Sequence, residues 1–275
     1  MREFFEGKSV ALVGPADYLE LFRENSENLK KIEECDVIVK LNSGINLSKK
    51  YPELVSKRID ILYNSLLDNC VNGGVLNISE IASSGIKHIR TTPKSNMKGI
   101  ATNPGESNIT KKETLEKLKT LFENHNIGTS IMDMNLYNLV STSVKSKPTT
   151  GVVAIYDILL YNPKSLYITG FNFFMTPPLR GYWGAEESGD SKIPYAFTVN
   201  GTEKVLRSEK EHAEVVSNSK RHVHKYMWDY AKRTLVPSDI VEFDPILEKL
   251  LLVENFSKES YNEIVEEYSK GGGSE

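Results

Sequence analysis

The sequence predicts an α/β protein: a mostly parallel sheet with helices on both faces. Three observations lead there. Residues 9–42 read as strand, helix and strand, a βαβ unit that implies a parallel pair with a right-handed crossover. Successive apolar runs end in glycine or small polar residues, at Gly14, Asn42 and Asn64-Ser65, as strand ends that open on a crevice do. Residues 148–174 then read as turn, helix, turn and buried strand, so the alternation continues down the chain. The plan is Rossmann-like.

The elements follow in order. Ser9-Val-Ala-Leu-Val-Gly14 is a short buried strand, and Pro15-Ala16-Asp17 a turn. Tyr18, Leu19, Phe22, Leu29 and Ile32 suggest a following helix. Strands are expected over 35–42 and 58–65, a helix over 75–84 and a strand over 85–90, with His88 as a plain sheet residue. Residues 91–110, rich in Thr, Asn, Pro and Gly, read as a long loop. A charged amphipathic helix over 111–124, a strand over 127–132 and a helix over 135–144 come next. Pro148 stops what precedes it, and Thr149 or Thr150 can cap a helix whose Val152, Ile155, Leu159 and Leu160 form one apolar face. Asn162-Pro163 ends that helix, and Leu166-Tyr167-Ile168 before Gly170 has the make-up of a central strand. Residues 175–202 read as irregular, 209–234 as largely helical, 239–243 as a last strand, and 245–253 and 258–268 as closing helices. One domain over 1–268 is expected, with 269–275 as a flexible tail.

Composition narrows the function. With 275 residues, 39% of them hydrophobic, the chain can bury a full core. A formal net charge of −3 and the lack of a long basic run argue against a nucleic-acid partner. No apolar run has the length of a membrane span and residues 1–6 lack a signal-peptide core, so at most peripheral membrane association is expected. Cys35 and Cys70 make neither a metal nor a CxxC pattern, which suits a reduced, cytoplasmic protein.

The motifs point to a phosphate. A helix opening at Thr149, Thr150 and Gly151 offers unpaired amides and a positive dipole end to an anion, although Thr149 read alone is equally a simple cap. The dinucleotide fingerprint is not met: Gly14 is followed by Pro15 and Ala16, no P-loop lysine follows, and Asn42 ends the second strand in place of an acidic residue. On spacing alone Gly14 is a tight-turn residue and Asn42 a strand-end polar group.

Pro148-Thr-Thr-Gly151, the apolar helix and Tyr167-Ile-Thr-Gly-Phe171 resemble the small sialylmotif of the sialyltransferases found in animals (glycosyltransferase family 29). Val10-Ala-Leu-Val-Gly14 with Asp36-Val-Ile-Val-Lys-Leu-Asn42 resembles the large sialylmotif. The resemblance spans about a quarter of the chain, counting a late histidine segment at 222–229. It implies the GT-A-like variant of the fold and a CMP-sugar donor held by Gly14, Pro15, Ala16, Asn42, Asn64, Ser65, Thr149, Thr150, Gly151, Gly170 and Phe171. Two departures stand out. The family's Gly-Asn-Ser is Gly14-Pro15-Ala16 here, which removes an asparagine contact, and Lys40 stands where arginine is usual. The disulfide joining the two motifs in secreted members has no counterpart, nor does the Golgi anchor, so a cytosolic relative is implied.

Transfer from a CMP-activated keto-sugar needs a nucleotide pocket, a base for the acceptor hydroxyl and something to steady the departing phosphate. In the family the base is a histidine of a late His-x-x-x-x-Glu motif. His224 has that spacing to Asp229, with Asp in place of Glu, and His222 is its rival. Helical residues two apart point about 200° from each other, so only one is expected to face the cleft. His212 belongs to a separate stretch and reads either as a phosphate contact or as a solvated residue. A His-x-His metal site lacks a third ligand by spacing, and no Asp-x-Asp motif occurs, so no metal or other cofactor is expected. Arg180, Tyr182 and Trp183, beyond the strand that carries Gly170, suggest an acceptor flap. The resemblance implies a metal-independent inverting transferase that moves sialic acid or Kdo to a glycan or glycolipid. A Rossmann-like nucleotide- or glycan-binding protein without turnover is the alternative, and an NAD-type oxidoreductase a weaker one.

Overall fold

The computed structural model describes residues 1–66, 78–93, 111–182, 197–199, 203–205 and 222–271. A short helix α1 (Arg2–Phe5) precedes β1 (Ser9–Val13), α2 (Glu27–Glu34) and β2 (Val37–Leu41). Two helices, α3 (Gly44–Lys50) and α4 (Pro52–Val55), lead to β3 (Ile61–Tyr63). Then come α5 (Ile78–Ser83), β4 (His88–Thr91), α6 (Lys111–Phe122), β5 (Gly128–Ile131), α7 (Met134–Ser143), α8 (Thr150–Leu159) and β6 (Ser165–Thr169). A hairpin of β7 (Phe197–Val199) and β8 (Glu203–Val205) is followed by α9 (His224–Leu235), β9 (Val241–Phe243), α10 (Pro245–Leu252) and α11 (Lys258–Gly271).

Seven of these strands form one sheet in the order β5-β4-β3-β2-β1-β6-β9, with every neighbouring pair parallel. The fold is therefore α/β and Rossmann-like, as the alternation of elements predicts. From β1 the chain steps outward to β5, then returns to lay β6 against the other side of β1. That reversal is the topological switch point, where open parallel sheets bind ligands. Neighbouring residues of a strand point to opposite faces, and Val10–Val13 and all of β2 are buried, so helices cover both faces.

The register sorts the core into two layers. Leu62 pairs with Ile89, and both enter a cluster with Ile81 of α5 and Leu115, Leu118 and Phe122 of α6. One residue on, Tyr63 pairs with Arg90, and both reach across the opposite face to Asp157 of α8. The Arg90 guanidinium grips both oxygens of Asp157, at 2.5 and 2.7 Å, and the Tyr63 hydroxyl donates at 2.7 Å. This arrangement ties the helix ahead of β6 to the middle of the sheet.

The sequence expectations need several corrections. The single helix expected from Tyr18 to Ile32 is a 3-10 segment, Asp17–Phe22, and then α2. Asn25 Oδ1 accepts the Glu27 amide at 2.9 Å, an Asx turn that restarts the chain as a helix. Helices α3 and α4, abutting at Tyr51-Pro52, occupy a stretch for which no element was expected. Phe197–Val199, inside the segment read as irregular, pairs antiparallel with β8. Residues 94–110, 209–221 and 272–275 lie outside the described residues, and α11 runs past 268 to Gly271. Among the described residues no helix is long and apolar enough to cross a membrane.

His88 gives the fold a pH dependence. Its Nε2 lies 2.7 Å from Ser130 Oγ, its ring faces Phe4, and burial, with Arg90 adding, pushes its pKa down to about 4. The folded value lies below the unfolded value of about 6.5, so the fold keeps the ring neutral. Its stabilisation is complete above about pH 6.5 and is lost as pH falls toward 4. The melting temperature is expected to fall over that window, and His88→Gln to flatten part of the fall. Calorimetric scans of both proteins from pH 7 to 4 test this, and equal slopes would place the acid sensitivity elsewhere.

Candidate functional site

At the switch point β1 and β6 end in two glycines that touch. A side chain on Gly14 would lie 2.2 Å from the Gly170 carbonyl oxygen, and one on Gly170 would lie 2.5 Å from that of Gly14. Gly170 also has φ +74, a left-handed value that favours glycine. Gly14 donates to Thr169 at 2.8 Å and Ala16 to Gly170 at 2.9 Å, so the strand ends are laced by backbone bonds. Beneath them Asp244, fully buried at the start of α10, accepts from the Gly170 amide (3.0 Å), the Tyr18 hydroxyl (2.7 Å) and the Ile246 and Leu247 amides. Burial pushes the Asp244 carboxyl up, against the pull of these donors.

Above this floor is a cleft enclosing about 600 Å³ of empty space, including the open solvent at its mouth. Of the residues expected at the site, Pro15, Ala16, Asn42, Thr149, Thr150, Gly151, Gly170, Phe171, Tyr182 and His224 line it. Thr149 caps α8, its hydroxyl oxygen accepting the Val152 amide at 3.4 Å, so the capping reading holds. Thr150 and Gly151, which begin the helix, line the cleft, and their amides have no partner within the helix by its geometry. Gly151 is small because a side chain there would lie 2.8 Å from the Phe171 ring and 3.0 Å from Leu41.

The other expected residues stand apart. Gly14 sits behind the cleft as a packing glycine, beside the buried Lys40. Lys40 donates to the Val55 and Ser56 carbonyls rather than into the cleft, and burial pushes its ammonium well below the usual range. Asn64 and Ser65 are buried beside the cleft: the Ser65 amide donates to Asn42 Oδ1 at 3.0 Å and Asn64 Nδ2 to the Asn42 carbonyl at 3.3 Å. They brace Asn42, which holds a left-handed φ of +44. The flap reading changes too. Tyr182 is buried, its hydroxyl donating to the Leu41 carbonyl at 3.1 Å, and Leu179 donates to Pro15 at 2.7 Å, so this segment is tied down as a wall. Arg180 is exposed, and Trp183, His212 and Cys70 lie outside the described residues.

The two histidines separate clearly. His222 lies ahead of α9 rather than on it, so the helical 200° argument does not apply. Its Nδ1 is 2.7 Å from the Lys147 carbonyl, and a carbonyl only accepts, so Nδ1 carries the proton. His224 is the first residue of α9, is buried, and lines the cleft, with its ring 6.4 Å from that of His222 and 5.0 Å from that of Phe174. Asp229, the expected motif partner, points away and pairs with Arg233 at 2.9 Å. The Thr149 amide donates weakly to Met227 Sδ at 3.4 Å, so the amino ends of α8 and α9 meet at the same cleft. Two positive dipole ends therefore converge where no lysine, arginine or carboxylate lines the cleft among the described residues. Among those residues no group of three His, Cys, Asp or Glu could hold a metal ion.

Sequence reasoning missed Asn172, Phe173, Phe174, Thr176 and Met227, which also line the cleft. The first three follow Gly170-Phe171 directly, which was the only signal available. The fold and site define a parallel α/β protein with a cleft at its switch point, where the amino ends of two helices meet. Compared with known proteins, the chain matches no family model and no curated protein.

Proposed function

We propose that this protein is a metal-independent, inverting glycosyltransferase that moves a keto-sugar, sialic acid or Kdo, from a CMP-sugar to a hydroxyl of a glycan or glycolipid. The observation that carries the reading is His224, a buried imidazole in the same cleft as the first residues of α8. The sialylmotif-like segments form the nucleotide pocket, since their Thr149–Gly151, Gly170-Phe171 and Asn42 all line that cleft. His224 takes the proton from the acceptor hydroxyl as its oxygen attacks the anomeric carbon. The bond from that carbon to the phosphate oxygen breaks, its electron pair stays on the phosphate, and CMP departs. The Thr150 and Gly151 amides and the α8 dipole stabilise that charge, and attack opposite the leaving group inverts the centre. A binding protein without turnover would use the same cleft and have no need of the imidazole.

Calorimetric titration with CMP, CDP, UMP and NAD, each with and without EDTA, tests the ligand. CMP is expected to bind tightest and to lose no affinity to the chelator. A preference for NAD, or no CMP binding, would overturn the reading. Turnover of CMP-sialic acid against CMP-Kdo then identifies the sugar.

A further inference from the structure

Immediately after β6 the chain does something costly. Phe173 and Phe174 are consecutive and both left-handed, with φ +50 and +59, in a region that bulky side chains avoid. The turn is over-determined by Asn172. Its Oδ1 accepts the Phe174 amide at 3.0 Å, and its Nδ2 donates to Thr176 Oγ1 at 2.7 Å. The two rings diverge. Phe173 is buried edge-on against Phe256, an ordinary core contact. Phe174 stays half-buried on the cleft wall, and its ring lies 5.0 Å from the His224 imidazole, tilted by 41°. Core packing alone does not call for this, because a right-handed turn ending in a small residue would spare the strain and give up only a half-exposed ring. Strain that neighbours hold in place beside a reactive group is the pattern of a site organised ahead of its substrate.

We propose that the strained Asn172–Phe174 turn exists to set Phe174 against His224, which makes Phe174 a positioning residue that keeps the imidazole in one orientation. Its importance for turnover rests on His224 being the base; its effect on the ring does not. The backbone is twisted so that an aromatic ring lies against the imidazole.

The test is Phe174→Asn, since asparagine accepts the left-handed region and offers no ring. The ring lost and the strain relieved are comparable, so the melting temperature is expected to stay within about 2 °C of the parent. The His224 C–H resonances, assigned in a carbon–proton spectrum with a His224→Gln control, are expected to lose their aromatic ring-current shift and to broaden as the imidazole samples further rotamers. In transfer assays kcat is expected to fall by more than tenfold with KM within twofold, and Phe174→Tyr to restore it. A melting temperature lower by more than about 5 °C would make Phe174 a structural residue. Unmoved His224 resonances would equally overturn the proposal. If His224→Gln leaves transfer intact, the base assignment fails separately, and the spectrum still decides whether Phe174 orients the ring.

Discussion

Replacing His224 by alanine is expected to lower kcat for sugar transfer by a hundred- to ten-thousandfold, the span that a positioned general base contributes. Affinity for CMP is expected to change little, because the nucleotide is assigned to the α8 amides and the strand ends rather than to the imidazole. That split is the point of the experiment: a binding protein without turnover would show no catalytic rate to lose. His222→Ala is expected to cost less than tenfold. Its ring is outside the cleft lining, and its Nδ1 proton is committed to the Lys147 carbonyl, which makes it a brace between the α8 and α9 approaches. Steady-state rates with a CMP-sugar, alongside calorimetric CMP binding to the same variants, decide between the two histidines. A larger loss in His222→Ala than in His224→Ala would reverse the assignment.

Replacing Asp157 by alanine is expected to be the most damaging single change to stability. Arg90 is 4% exposed and Asp157 fully buried, so the variant leaves a guanidinium in the core without its carboxylate. Removing one partner of a buried pair costs about 3–5 kcal/mol. For a chain of this size that is a fall in melting temperature on the order of 10 °C. The Tyr63 hydroxyl also loses its acceptor, while Arg90 keeps Ser130 Oγ and the Ile131 carbonyl, which softens the loss without replacing a charge. The double replacement Arg90→Met with Asp157→Leu is expected to recover most of the stability, since no charge is then stranded. Urea unfolding of the single and double variants measures this. Equal losses in both would show that shape rather than charge holds the pair together. Because Asp157 sits on α8, the single variant is also expected to weaken CMP binding by loosening the helix that presents the donor amides.

What could be read from the chain follows from locality. Strand and helix signals are periodic within a few residues, so β1, β2, β6 and α8 stand out, and with them the parallel sheet and the crevice at its strand ends. Thr149 as a cap is equally local, since the hydroxyl and the amide it accepts are three residues apart. The same locality explains the misses. Gly44–Lys50 and Pro52–Val55 are two short helices that tertiary contacts and Pro52 define more than periodicity does. Tyr182 looked like an exposed sugar-facing ring and is a buried wall, because the Pro15 carbonyl, far away in sequence, pulls its segment down.

The sequence by itself determined the α/β alternation, the glycine-ended strands and the threonine-capped helix start, all of which depend on neighbours along the chain. Only the tertiary structure decided that Gly14 serves close packing, that Lys40 caps the end of α4, that His224 rather than His222 reaches the cleft, and that Phe174 faces it. Each of those outcomes turns on a contact between residues far apart in sequence, and such contacts exist only once the strands have taken their order.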